Sequence, residues 1–264
     1  MVPQQRQLTR VAAALAAQSR DTVAWLSTLS VAEFATPSVL SGWRVHHLTA
    51  HLLAIQSEMF EALDQPTSAR PVSVGEYLRG YRLANHRSNA LCEELADHYS
   101  GAELTSQLRR NLDEAETRVN EPTVAEIVAA PRDALRTPDY LRTRLVEWVV
   151  HSDDLSRSLP DREPVTLARA GLAETVRVLG ESLARLHPGH SVELRVPPFA
   201  AYQCGTGEDD PTHTRGTPPN VVECEPLVFL RLACGRQTFA DAREKHQLTA
   251  SGTRSDLSSW LPLL

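Results

Sequence analysis

Residues 137–159 read TPDYLRTRLVEWVVHSDDLSRSL. Leu141, Leu145, Trp148, Leu155 and Leu159 recur at steps of three, four and seven, the period of one face of an α-helix. Pro138 suits a first helical turn, where its missing N–H goes unused, and Thr137 ahead of it offers a capping hydroxyl. A helix over 138–159 is therefore predicted. Glu147 and His151, four residues apart, stack at the edge of its apolar stripe. A carboxylate oxygen and an imidazole nitrogen at that spacing can share a divalent ion, and Asp153 or Asp154 could orient the imidazole. Taken alone, such a pair is ordinarily a surface hydrogen bond.

A second stretch changes that balance. WRVHHLTAHLLAIQSEMFEAL (43–63), which leads into a predicted helix over 44–64, places Leu48, Leu52, Ile55, Met59 and Leu63 on one face and His51 at its edge. His47 and Glu58 flank His51 on the same side. Two bundle helices, each with a ligand-type side chain beside its apolar stripe, point to an interhelical metal site of two histidines and one carboxylate. Such a site leaves coordination positions open, as a catalytic metal requires. Spacing alone also allows His46 or His47 in place of His51. Glu58 reads either as a solvated helix residue or as a general base. Arg144 reads either as a residue reaching the same cleft or as half of an ion pair.

Outward from these two helices the first two thirds of the chain stay helical. Apolar spacing predicts helices over 5–28, 102–119 and 166–186. The S/T-x-x-E pattern of a capping box at Ser30–Glu33, Ser73–Glu76 and Thr123–Glu126 marks further starts, which gives helices over 74–99 and 123–130. After His187-Pro188-Gly189 the texture changes: SVELRV, AYQC, NVVECE and QLTASG alternate like strands. PLVFLRLACG and the terminal SDLSSWLPLL read as short helices. The expected fold class is α plus α+β, a helical bundle over 1–163 followed by a small α+β domain over 164–264.

Bulk properties exclude several classes. The 264 residues are 42% hydrophobic and 23% charged, with a formal charge of −6, ordinary for a globular protein and unlike the basic face of a nucleic-acid binder. No apolar run approaches the roughly 18 residues of a membrane helix, and MVPQQRQLTRVAAALAAQSR is too interrupted for a secretory signal. A cytoplasmic monomer is expected. The four cysteines form no C-x-x-C pair and read as small buried hydrophobes.

LSGWRVHHLTAHLLAI (40–55) resembles the L-x-x-W-x-V-x-D-L-x-x-H-L signature of the DinB-like, mycothiol-dependent maleylpyruvate isomerase family, and RTRLVEWVVHSDDL (142–155) resembles that family's R-x-x-E-x-x-x-H-x-x-D-L helix. The resemblance implies a DinB-like four-helix up-down bundle with zinc held by His51, Glu147 and His151. Residues 228–264 are similar to the family's sterol-carrier-like C-terminal domain, and the S-G-T-R-S-D-L run within them resembles actinobacterial members. Where the family often has Asp, this chain has His47, so an expected capping or ligand-orienting carboxylate is absent.

The activity implied is that of a metal-dependent mycothiol S-transferase or cis–trans isomerase acting on a small electrophile. Mycothiol and zinc are the expected cofactors. Arg236 and Arg254, in G-R and S-G-T-R loops, are the candidates for holding a carboxylate of cofactor or substrate by a bidentate pair. Two alternatives stand beside this reading. One is a non-catalytic carrier that binds an apolar ligand in the C-terminal domain and uses the metal as a brace. The other is a DinB-like metalloprotein with another reaction.

Overall fold

The structure is a computed structural model and describes residues 3–80, 86–121, 124–205 and 220–264. The described chain divides into two compact units, 1–73 with 82–171, and 74–81 with 172–264.

In the first unit, α1 (Pro3–Leu26), α3 (Val45–Leu63), α6 (Gly101–Asn120) and α7 (Thr137–Ser158) are the long helices; α2 (Val31–Phe34) and α5 (His86–His98) are shorter. α1 packs on α6 and α7, and α3 packs on the same two, so the four close into a ring; α5 lies on α3. The core is aliphatic and includes Val11, Leu26, Leu48, Leu52, Leu104, Leu108, Leu141 and Leu145. α7 is buried on more than the one face its apolar stripe predicts, because Arg142, Thr143, Arg144, Ser152, Asp153 and Asp154 are buried as well. Its neighbours supply partners for this polar load. The Gln18 amide donates to Thr22, to Ser152 and to the Thr166 carbonyl, and its oxygen accepts the Ala168 N–H.

Helix starts follow local chemistry. Ser30 and Glu33 form a capping box as predicted, here opening the four-residue α2, and Ser100 with Glu103 forms a second one at α6. Three expectations need correction. The stretch 123–130 holds not a helix but the strand β1 (Ile127–Ala129), paired antiparallel with β2 (Ala134–Arg136); Val128 and Ile127 are β-branched, and pairing with Leu135 buries Val128 completely. Thr123, the expected cap, lies outside the described residues. Thr137 is the first residue of α7 rather than its cap, and its hydroxyl donates to the Ala125 carbonyl. Lastly, 255–264 forms turns without a helix; Pro262 lacks the backbone N–H that a helix continuing to the terminus would use and clashes with the turn before it. Of the helix predicted over 74–99, the ends are helical, as α4 (Val74–Arg79) and α5, while 81–85 lie outside the described residues.

The second unit carries α4, most of α8 (Arg169–Leu186) and a four-stranded sheet ordered β4-β3-β5-β6. These strands are β3 (Val192–Val196), β4 (Ala200–Cys204), β5 (Val221–Cys224) and β6 (Leu248–Ser251). β3 pairs antiparallel with β4 and parallel with β5, and β5 pairs antiparallel with β6. Between β5 and β6 run α9 (Pro226–Ala233) and α10 (Phe239–Glu244). Val192, Leu194 and Val196 alternate into the core with Val222, Phe229 and Leu230, the two-residue period of a half-buried sheet. α8 meets the sheet at Gly180, where an added Cβ would fall inside the ring of Tyr202. No described helix is long and apolar enough to cross a membrane.

Candidate metal centre

α3 and α7 lie side by side in the ring, so side chains near the middle of each can meet. His51 comes from α3 and Glu147 with His151 from α7. His51 Nε2 lies 3.5 Å from Glu147 Oε2, and His151 Nε2 lies 3.3 Å from the same oxygen. One donor atom from each residue falls within 4.8 Å of the others. The two imidazoles meet edge to face at 4.7 Å between centroids. Tetrahedral zinc with bonds of about 2.0–2.2 Å has donor-to-donor edges of about 3.3–3.6 Å. The two Nε2–Oε2 separations fall in that range and all three donors lie within 4.8 Å of one another, so the donor set fits such an ion in chemistry and on two of its three edges in spacing.

The electrostatics agree. Burial pushes the Glu147 carboxyl up, but hydrogen bonds with His151 and His51 outweigh it and hold the group well below the usual carboxylate range. Burial pulls His51 down, against the opposing pull of Glu147. Burial also acts to lower His151, yet the Asp154 and Glu147 carboxylates outweigh it and raise it. The Glu147 side chain keeps 15% exposure, compared with 11% for His51 and 7% for His151, so the cluster is largely withdrawn from solvent.

The surroundings distinguish the two imidazoles. His151 Nδ1 lies 3.0 Å from Asp154 Oδ2; the carboxylate can only accept, so Nδ1 carries a proton, and Nε2, which faces Glu147 Oε2, is the nitrogen left to bind an ion. Asp153, the other acidic candidate, is buried as well, and the contact to His151 Nδ1 is made by Asp154. The i,i+3 spacing of Asp154 from His151 was the signal that separates them, because an i,i+2 neighbour points elsewhere. His51 Nδ1 is buried and has no hydrogen-bond partner among the described residues; the Trp43 indole lies over this ring at 5.4 Å.

The histidines left open by spacing have other tasks. His46 Nε2 pairs with the Ala96 carbonyl at 2.9 Å. His47 Nδ1 accepts the Arg44 N–H at 3.2 Å, closing the start of α3 where a capping carboxylate is absent. Burial, with the His46 and Arg44 charges, lowers the His47 pKa and so keeps that nitrogen an acceptor.

Glu58 is not a solvated residue. It is 4% exposed and paired with Arg144 at 3.2 Å, and Tyr140 donates its hydroxyl to the Glu58 carbonyl. Of the two readings of Arg144, the ion pair is the one observed. Arg236 and Arg254 lie in the second unit. The Arg236 guanidinium donates to the Cys234 carbonyl, and the Arg254 N–H donates to the Asn220 side chain. All four cysteines are buried, and burial pushes the Cys92, Cys204 and Cys224 thiols up to about 12.

Residues 12–156 match the profile of the Mycothiol maleylpyruvate isomerase N-terminal domain family, and residues 168–263 match that of the Bacterial SCP ortholog family. The first match spans more than half of the chain, and the protein belongs to the mycothiol maleylpyruvate isomerase family. Among solved structures the chain is similar to a mycothiol-dependent maleylpyruvate isomerase, with a TM-score of 0.57 at 16% identity, covering 97% of this chain and 95% of that one. A histidine-to-alanine mutant of such an isomerase matches over the same shares with a TM-score of 0.58. A comparison with curated proteins gives no match.

Proposed function

We propose that this chain is a metal-dependent enzyme that uses mycothiol on a small electrophilic substrate, as an isomerase or as an S-transferase. The single observation that carries the reading is the buried cluster of His51, Glu147 and His151, with donor separations of 3.3 and 3.5 Å, in a chain of this family. These three residues would hold a divalent ion, zinc by its donor set. Such an ion lowers the pKa of a coordinated thiol and supplies a thiolate at neutral pH.

The chain's own side chains do the rest. Asp154 fixes the His151 tautomer. Arg144 pairs with the buried Glu58, so that carboxylate is balanced in the core. Cys92, Cys204 and Cys224, whose thiols burial holds neutral, do not compete as nucleophiles. A thiolate adding to a conjugated alkene leaves a single bond that rotates before elimination, which is isomerisation; retention of the sulfur is transfer.

Arg236 and Arg254 are proposed to bind a carboxylate of mycothiol or substrate. The proposed metal-binding module is 1–163 and the second module 164–264; the two family matches fall on either side of that boundary. A cytoplasmic monomer remains part of the proposal. The match of 168–263 to the Bacterial SCP ortholog family favours a second reading, a carrier of apolar ligands in that module.

The test is elemental analysis of the purified chain, followed by turnover with mycothiol and an electrophile panel read by mass spectrometry. About one zinc per chain, lost in His51→Ala together with turnover, is expected. A metal-free protein whose activity survives His51→Ala would sink the proposal. Displacement of a lipid probe that survives metal removal would favour the carrier.

A further inference from the structure

A cleft of about 420 Å³ opens between α2 and the starts of α3 and α6, and no residue of the metal cluster lines it. Its apolar side is formed by Leu29, Val31, Phe34, Ala35 and Ala102. Val31 and Phe34 stand three apart on α2 and so share one face. Phe34 is buried against the start of α6, where a Cβ on Gly101 would fall inside its ring. Val31, on the same face, is 86% exposed. An apolar surface beside a buried aromatic floor is thus left uncovered.

The polar side of the cleft offers donors. Arg44 Nη1 donates to the Ala35 carbonyl at 3.0 Å, which fixes the guanidinium beside the apolar residues. That uses one of five N–H groups, and no carboxylate among the described residues pairs with it. Glu33 and Glu103, at the two neighbouring helix starts, are engaged by the capping boxes of Ser30 and Ser100. His47 also lines the cleft. Its Nδ1 accepts the Arg44 N–H, so the proton of the neutral ring sits on Nε2, a second donor.

We propose that this cleft binds a small organic acid, its carboxylate held by the Arg44 guanidinium and its apolar body laid over Val31, Phe34 and Ala102. Guanidinium and carboxylate match in charge and in their paired geometry, and covering Val31 removes apolar surface from water. A neutral ligand would leave the cation unmatched, and an inorganic anion would leave the apolar side bare. The volume lies within the roughly 300–1,000 Å³ of small-molecule sites. The site is independent of the reaction proposed at the metal centre.

The test uses the full chain and two probes of one shape, 2-naphthoate and the uncharged 2-naphthamide, each titrated by calorimetry. The expected result is saturable binding of naphthoate, about tenfold tighter than the amide. Arg44→Met should bring naphthoate down to the affinity of the amide. Ala102→Trp, at an exposed position lining the cleft, should abolish binding of both; if circular dichroism shows it unfolded, Ala35→Leu replaces it. His51→Ala should leave naphthoate binding unchanged. The proposal is overturned if naphthoate does not saturate, or if the amide binds as tightly. It also fails if folded Arg44→Met or cleft-filling variants bind naphthoate as well as the parent. Loss of naphthoate binding in folded His51→Ala would place the acid on the metal cluster and overturn it too.

Discussion

His151 Nδ1 and Asp154 Oδ2 stand 3.0 Å apart, with the carboxylate fully buried one turn along the same helix. The pair fixes one ring of the candidate centre, while the other ring, His51, has no equivalent partner among the described residues. Asp154→Asn keeps the shape and removes the charge. It is expected to weaken zinc binding by about 10–100-fold, measured by competition with a chromogenic chelator, while the far-ultraviolet circular dichroism is unchanged.

The Arg144–Glu58 pair is nearly inaccessible, at 2% and 5% side-chain exposure. Removing one partner strands a charge in the core, which costs about 3–5 kcal/mol. Arg144→Met is expected to lower stability by that order in urea titrations. Adding Glu58→Gln to it should recover part of the loss, since the stranded charge is then gone. Equal effects of the single and double variants would contradict this account.

Glu33 predicts a pH dependence. The Ser30 N–H, the Arg162 guanidinium and the Ser30 hydroxyl lower its pKa from 4.5 to about 2. A lowered folded-state pKa means the contribution is complete above the ordinary value and disappears as pH falls through about 2. The difference in melting temperature between the parent and Glu33→Gln should therefore be constant at neutral pH, shrink below about pH 4.5 and vanish near pH 2. A difference that grows on acidification would refute it.

Gly180 is small because Tyr202 occupies the space beside it, and the Tyr202 hydroxyl donates to the Arg177 carbonyl of the same helix. Gly180→Ala gains helix propensity but displaces the ring, and overpacking of this kind costs about 1–3 kcal/mol. Net destabilisation is expected in thermal melts, and Tyr202→Leu in the same chain should relieve it.

Long-period features were legible in the sequence. The helices carrying His51 and Glu147 start and stop within two residues of the bounds read from their apolar spacing. The strands SVELRV, AYQC and NVVECE lie where alternation places them. Short elements were not. Residues 127–129 make only three pairings, too few to leave a period, and a nearby S/T-x-x-E pattern pointed to a helix. At the site, helix periodicity placed His51, Glu147 and His151 at the edges of apolar stripes but could not choose among three nearby histidines. That choice depends on partners that spacing does not reveal, the distant Ala96 carbonyl for His46 and the local Arg44 N–H at the start of α3 for His47. The burial of Glu58 was equally hidden, because it requires Arg144 from a helix far along the chain.

The two helices of the candidate centre are neighbours in space but distant in sequence. An ion shared by His51 and Glu147 would tie together two points roughly a hundred residues apart and act as a reversible cross-link. A covalent bond closing a loop of that length removes denatured-state entropy worth about 4–5 kcal/mol. α5 and α6 lie inside the loop so closed, and α1 packs on both sides of it. Loading the ion would therefore constrain the unfolded chain as well as the site, and the bundle's resistance to unfolding would follow the supply of metal.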